Sequence, residues 1–298
     1  MTSPSNTSAP RVPAQLAMDS GTRTLERRAP RAPERVAAHA RRRKYFELAL
    51  GILVPVLLLL LWQLAAVLGW IDARLYPAPT TIARSAWEMF TSDDATLPSD
   101  VVDTLRRVLV GVLAGGAAGV VAGIVLGSSR VVRAALEPLL SALYVVPKLA
   151  LLPVFMTLFG LGEPPLLVIV SWTVFFYVWI YTMEAIVAIP EGYHEAARSL
   201  NAGRVRTLFH VTVPAVLPQL FVALRVGVNV SVIMIVAAEF LVGTSGLGYL
   251  IFDSRRLFAN EQMFVGIVVV SLMGVTLAGI VTWAGRRLTP WARPPRHG

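Results

Sequence analysis

Six stretches of predominantly apolar residues, each long enough to cross a bilayer, govern what this chain can fold into. A hydrocarbon core needs about 20 such residues per helix. The stretches at roughly 46–68, 104–127, 139–159, 165–187, 219–242 and 263–284 all meet that length. Each contains Gly or Pro, which membrane helices tolerate better than soluble ones. No long alternating strand pattern lies between them. The expected architecture is therefore all-α, a polytopic membrane protein with six transmembrane helices in one domain over 45–285. Charged residues make up only 15 % of the 298, against about 25 % in soluble domains.

The formal net charge of +9 invites a nucleic-acid reading, but its distribution argues otherwise. Residues 1–44 hold ten basic and three acidic side chains and almost no large apolar ones. Such a segment cannot bury enough surface to offset its ordering entropy, so a disordered basic tail is expected there. If the N-terminus is cytoplasmic, 19 basic residues fall on that side, in the tail, 128–138, 188–218 and 285–298, against 6 on the other. The positive-inside rule then makes both termini cytoplasmic, with 286–298 a second basic tail. Charge of this kind fixes orientation against an anionic leaflet and calls for no nucleic-acid partner.

Several chemistries are excluded. The chain has no cysteine, so disulfides, thiolate zinc sites and iron–sulfur clusters are ruled out. The four histidines, His39, His194, His210 and His297, share no metal-ligand spacing with a carboxylate, and no metal site is expected. A phosphate-cradling loop ends in Gly-Lys-Ser/Thr. The only lysines here are Lys44 after Arg43 and Lys148 after Pro147, so no nucleotide site is expected.

Within the second stretch, Gly111, Gly115, Gly119, Gly123 and Gly127 recur at every fourth position. They place a small-residue stripe on one helix face, which lets another helix approach to backbone contact, within one subunit or across a subunit boundary. Ionisable residues inside spans are functional candidates because a charge in hydrocarbon needs a cavity or a partner. Lys148 falls near the middle of the third stretch between Pro147 and Pro153, which allow the helix to break. It suits an anionic substrate, or else snorkels or pairs with a carboxylate. Arg225 is placed near the cytoplasmic interface or an internal gate. Glu239 lies at the outer end of the fifth stretch beside Gly243, Gly246 and Gly248, as a gate, as a contact for an external protein or as a loop anchor.

The loop 188–218 carries the most information: IPEGYHEAARSLNAGRVRTLFHVTVPAVLP. Pro190 and Glu191 suit a helix start. Tyr193, Ala196, Ala197 and Leu200 then give an apolar stripe, with Arg198, Arg204 and Arg206 around it. Asn201 sits where a left-handed cap would end the helix. Pro214 and Pro218 are expected to end the segment beyond this cap. A short amphipathic helix of this kind lies on lipid or docks in a partner's groove.

The run Glu195-Ala196-Ala197, position 201, then Val211-x-Val213-Pro214 resembles the EAA loop of ABC importer permeases, with Asn201 in place of glycine and two valines in place of Ile and Leu. Four further blocks between residues 46 and 285 resemble the nitrate/sulfonate/taurine branch of that family: LYPAPTTIARSAWEMF, TLRRVLVGVLAG, VVPKLALLPVFMTLFGLGEPP and LRVGVNVSVIMIVAAEFLVGTSGLGYLI. The resemblance implies a bacterial inner-membrane permease subunit importing a small anion such as an aliphatic sulfonate, taurine or nitrate. It implies a second permease subunit as a homodimer partner, two ATPase subunits that hold the ATP and magnesium, and an extracytoplasmic substrate-binding protein. Tyr193, Glu195, Ala196, Ala197, Leu200, Asn201, Gly203 and Pro214 would form the ATPase-coupling loop. The chain itself would bind no cofactor and catalyse no reaction. Two alternatives stay open: the same permease type importing a heterocyclic vitamin or precursor, and an ion-coupled secondary transporter.

Overall fold

The computed structural model describes residues 33–92 and 96–292, and every regular element among them is helical. Helix α1 covers Pro33–Val67, α2 Pro79–Thr91, α3 Leu97–Ser128 and α4 Arg130–Val145. After a tight turn at Lys148–Leu151 come α5 (Leu152–Phe159), α6 (Glu163–Val187) and the short α7 (Glu191–Ser199). A single turn, α8 (Arg204–Thr207), leads through a wide π turn at Leu208–Thr212 into α9 (Val213–Val242). Helices α10 (Leu247–Arg256) and α11 (Asn260–Leu288) complete the chain.

The chain divides at Leu58 into two units. In the first, the apolar stretch of α1 is exposed all round, from Leu50 at 41 % to Ile52 at 66 %. A helix apolar on every side and unpacked by its own unit is one suited to lipid. The second unit holds the core. There Trp62 packs on Phe264 of α11 with ring centroids 5.8 Å apart, and Gln63 hydrogen-bonds Thr80 at the start of α2.

Helices α3 and α6 form the closest pairing, and the glycine stripe is the reason. A Cβ on Gly111 would overlap Val170, and one on Gly115 would overlap the backbone carbonyl of Ser171. At Gly119 it would come 2.7 Å from the Phe175 carbonyl, at Gly123 2.5 Å from Thr182, and at Gly127 2.8 Å from Ile186. Contacts rise together along both helices, so α3 and α6 run parallel. The stripe works within the chain. Helix α9 returns antiparallel across them, with Leu224 over Gly116. Phe176 and Trp179 of α6, each 1 % exposed, fill the space beside Leu126 and Met183.

Three expectations need correction. Residues 33–44, expected to be disordered, are helical; Pro33 occupies a first turn, where its missing N–H costs nothing, and alanines and arginines that favour helix follow. The rest of that tail, 1–32, and residues 293–298 lie outside the described residues. The third span is not one helix: α4 and the segment Lys148–Phe159 meet at an 89° bend. Pro147 at the bend cannot donate to the preceding turn, and Pro153 falls harmlessly in the first turn of α5. Pro214 and Pro218 do not terminate a helix. The π turn ends at Thr212, just before α9, so Pro214 falls in the first turn of α9, where its missing N–H is tolerated, and Pro218 lies within the helix. The described helices provide five that are long and apolar enough to cross a membrane, or six if the bent pair is one span.

Because Gly115 abuts backbone rather than a movable side chain, Gly115→Ala is expected to destabilise the folded chain by about 1–3 kcal/mol through overpacking. Gly51→Ala, where nothing lies within 4 Å, is expected to be neutral or slightly stabilising. Thermal unfolding of the two purified variants in one detergent compares them directly.

Candidate functional site

Two ends of the helical body concentrate the polar chemistry. At the end that carries α7, the local sequence builds a short, well-terminated helix. Pro190 is extended at its start, Glu191 lies in the first turn and Arg198 in the last, as the helix dipole favours. Asn201 adopts the left-handed conformation expected of it, with φ 54°. The Asn201 N–H donates to the Arg198 carbonyl at 2.9 Å and the Ala202 N–H to the Ala197 carbonyl at 3.0 Å, closing the helix end.

The apolar stripe on α7 is shared between two surfaces. Ala197 is buried against the chain. Tyr193 and Leu200 are 62 % and 81 % exposed, with Ala196 and Glu195 also on the outside. Val205 and Phe209 extend this exposed apolar surface, and Arg198, Arg204 and Arg206 rim it. Gly203 starts α8 with an ordinary negative φ, so no glycine conformation is required there. Pro214 lies beyond the patch in α9.

At the opposite end, the first three turns of α3 present Asp100, Asp103, Thr104 and Arg107 on one face, and this face receives Glu239. The Arg107 guanidinium is buried and satisfied on every nitrogen. Its Nη1 donates to Glu239 Oε1 at 2.7 Å and to the Ser245 carbonyl at 2.8 Å. Its Nη2 donates to Glu163 Oε1 at 2.7 Å and to Ser245 Oγ at 2.9 Å, while Nε also reaches Glu163. Arg106 pairs with the second Glu163 oxygen. Glu239 accepts further bonds from Thr104 Oγ1 and from the Gly248 N–H, each at 2.9 Å. The same group of residues captures the turn after α9: the Gly246 N–H donates to Asp100 at 2.7 Å, the Leu247 N–H to Thr104 Oγ1 at 2.8 Å, and Ser245 Oγ to Asp103 at 2.6 Å.

Gly246 has φ +103°, and a Cβ there would come 2.5 Å from Glu239 Oε1 and 2.7 Å from Arg107 Nη1. Only glycine fits. Glu239, with 0 % of its side chain exposed, thus anchors this turn and ties α9 to α3 and, through Arg107, to α6. In the sequence Arg107 stands out only as a charge at the mouth of a span. The polar residues at 100, 103, 104 and 107, spaced as one helix face, are the signal that points to it.

Lys148 stands at the 89° bend, half-buried, with Nζ 3.1 Å from the Tyr144 carbonyl and 4.8 Å from the centre of the Tyr144 ring. No carboxylate pairs with it among the described residues. Two of its three ammonium protons are left for another acceptor. Arg225 is exposed on α9 and lines a groove against α11. Lys148, Arg225 and Glu239 therefore occupy three separate places rather than one site. Among the described residues no group of His, Asp and Glu could hold a metal ion.

A broken span beside long apolar helices in backbone contact marks a multi-pass membrane protein. Residues 115–293 match the model of the family described as "Binding-protein-dependent transport system inner membrane component". The chain belongs to that family, and it is a multi-pass cell-membrane permease of the ABC importer type. A protein of Bacillus subtilis (strain 168) named "Putative aliphatic sulfonates transport permease protein SsuC" is 29 % identical over 84 % of this chain and 90 % of its own length. The taurine transport system permease protein TauC of Escherichia coli (strain K12) is 29 % identical over 85 % and 95 %, respectively. The nitrate import permease protein NrtB of Synechococcus elongatus is 29 % identical over 81 % and 90 %. Among solved structures, a chain of the inward-facing MetNI methionine ABC transporter superposes with a TM-score of 0.58 at 20 % identity, over 68 % of this chain and all of that one. That likeness concerns the fold.

Replacing Arg107 by methionine alone leaves Glu239 buried without its counter-ion and is expected to cost about 3–5 kcal/mol. The double variant R107M/E239M, which removes both charges, is expected to recover much of that loss. A double-mutant cycle on thermal unfolding measures the coupling.

Proposed function

We propose that this chain forms, with a second copy of itself, the transmembrane pathway of an importer for a small oxyanion of the sulfonate, taurine or nitrate type. The observation that carries the reading is α7. It is a nine-residue helix whose buried alanine fixes it to the body while Tyr193, Ala196 and Leu200 remain exposed for a partner. An exposed apolar surface rimmed by arginines fits a groove with an acidic border. In this reading the partner is the ATPase, two copies per assembly, which binds ATP and magnesium and carries out the hydrolysis. The basic-residue census supports a cytoplasmic α7 and cytoplasmic termini. The opposite end then faces an extracytoplasmic substrate-binding protein.

The connectivity supplies a mechanism of alternating access. Helix α7 lies between α6 and α9, so a displacement imposed on it by the ATPase reaches both. At the far end, Arg107 and Glu239 join α9 to α3 and α6. Motion at the cytoplasmic face is thereby delivered as movement of a connected helix group rather than of one helix. Lys148 gives the pathway its counter-charge for an anion, held at a break where backbone groups are also free of helix pairing. The relatives named for sulfonate, taurine and nitrate transport support a cargo that carries a sulfonate or nitrate anionic group.

The test is uptake by the permease–ATPase assembly in proteoliposomes supplied with the cognate binding protein. Ala196→Arg is expected to abolish ATPase co-purification and uptake while leaving membrane insertion intact. Ala197→Arg is the poorer probe, because that position is buried. Retained ATPase association in A196R would overturn the docking assignment. Lys148→Met is expected to reduce anion uptake roughly tenfold or more, the cost of losing one charge-assisted hydrogen bond. Uptake that survives ATP depletion but collapses with the proton gradient would instead mark an ion-coupled secondary transporter.

A further inference from the structure

The groove between α9 and α11 carries a chemistry that neither coupling nor cargo passage uses. The helices touch at Gly285, where a Cβ would come 3.0 Å from Phe221. Beside this contact lies a cavity of about 520 Å³ lined by Arg225 and Asn229 of α9 and by Thr282, Trp283 and Arg286 of α11. An adjoining cavity of about 420 Å³ shares Arg225, Thr282 and Arg286 and continues past Phe221 toward the end that bears α7. No acidic residue lines either cavity.

Arg225 belongs to a span of strongly apolar composition, yet it is exposed, and no ion pair or hydrogen bond engages it among the described residues. A guanidinium at such a place needs an anion or water to complete its five donors. The surroundings favour an anion that has an apolar part. Trp283 is 61 % exposed, and the Arg287 guanidinium lies over its ring at 5.5 Å, the amphipathic pairing found where a membrane meets water. Away from the arginines the exposed face of α11 is mainly apolar, with Val275 at 74 %, Leu272 at 61 % and Ile280 at 54 %, and the exposed Ser271 and Thr276 turn their hydroxyls back onto the helix's own carbonyls. Two arginines at one end and a greasy strip leading away from them match a head and an acyl chain. A small hydrophilic anion would make no use of the strip.

We propose that this groove binds an anionic phospholipid from the leaflet at the α7 end. Arg225 and Arg286 hold the headgroup phosphate from the two facing helices, Asn229 lies beside it, and an acyl chain follows α11 past Gly279 and Val275. Guanidinium groups match phosphate oxygens in pairs, which gives preference over a zwitterionic lipid whose choline cation would meet the same two arginines. The bound lipid bridges α9 and α11 where Gly285 and Phe221 bring them together. This site is independent of the coupling and cargo assignments, and its failure would leave them standing.

The test uses the assembled permease–ATPase complex in nanodiscs of phosphatidylcholine with and without phosphatidylglycerol. Native mass spectrometry is expected to find phosphatidylglycerol retained, and the double variant R225Q/R286Q to lose at least roughly tenfold of that retention. Arg130→Gln, on a different helix, serves as the control and is expected to change nothing. A photoactivatable phosphatidylglycerol analogue on the unmodified complex is expected to label residues within 218–229 and 275–289, so the site is tested even if the double variant does not fold. Labelling confined elsewhere, equal retention in R225Q/R286Q, or loss of retained lipid in R130Q to the same degree would overturn the proposal. Displacement of the label by millimolar sulfate, but not by added phosphatidylglycerol, would identify a small-anion site and overturn it as well.

Discussion

The fold depends on how closely α3 can lie against α6. In a membrane, apolar side chains gain nothing by leaving lipid for one another, so association rests on packing and on the depth of approach. Five glycines at every fourth position remove the side chains that would hold the two backbones apart, and α6 fills the trough with Val170, Ser171, Val178, Thr182 and Ile186. Everything else is arranged around that pair. Helix α9 crosses both, α10 and α11 pack on α9, and α7 emerges from the end of α6.

Packing fixes how far apart these helices lie but leaves them free to slide, and the Arg107 cluster removes that freedom. Its partners come from four places in the chain: Glu163 at the start of α6, Glu239 at the end of α9, Ser245 in the following turn, and Thr104, Asp100 and Asp103 on α3 through the groups they share. A buried ion pair is a poor source of net stability, since desolvation offsets most of its attraction. What it supplies is register, because a slip of one residue would strand a charge in a place that excludes water.

Most of the helices are legible in the sequence because span length is a property of consecutive residues. The left-handed cap at Asn201 is legible for the same reason, as is the helix start at Pro190. Features decided by distant partners are not. Glu239 leaves gate and anchor equally open, since its counter-ion lies 132 residues away in sequence, and the stripe of glycines does not reveal which helix it meets. Proline misleads in the other direction. Pro147 lies where its helix breaks, while Pro138 and Pro218 sit inside theirs, a difference that composition does not disclose. Ala196 and Ala197 look alike in sequence, and only the docking of α7 on the body separates an outward from an inward alanine.

Parallel alignment of α3 with α6 has a mechanical consequence. The chain leaves one at the α7 end and must re-enter the other at the opposite end, so residues 129–162 have to recross the whole thickness in a single pass. That return stroke is bent at a right-angled elbow before Lys148, the one sharply broken span among the described residues. The body thus resembles a stiff two-member beam strapped by a hinged link. Bending stress applied at its base can concentrate at that elbow, and the Lys148 ammonium is mounted on the joint itself.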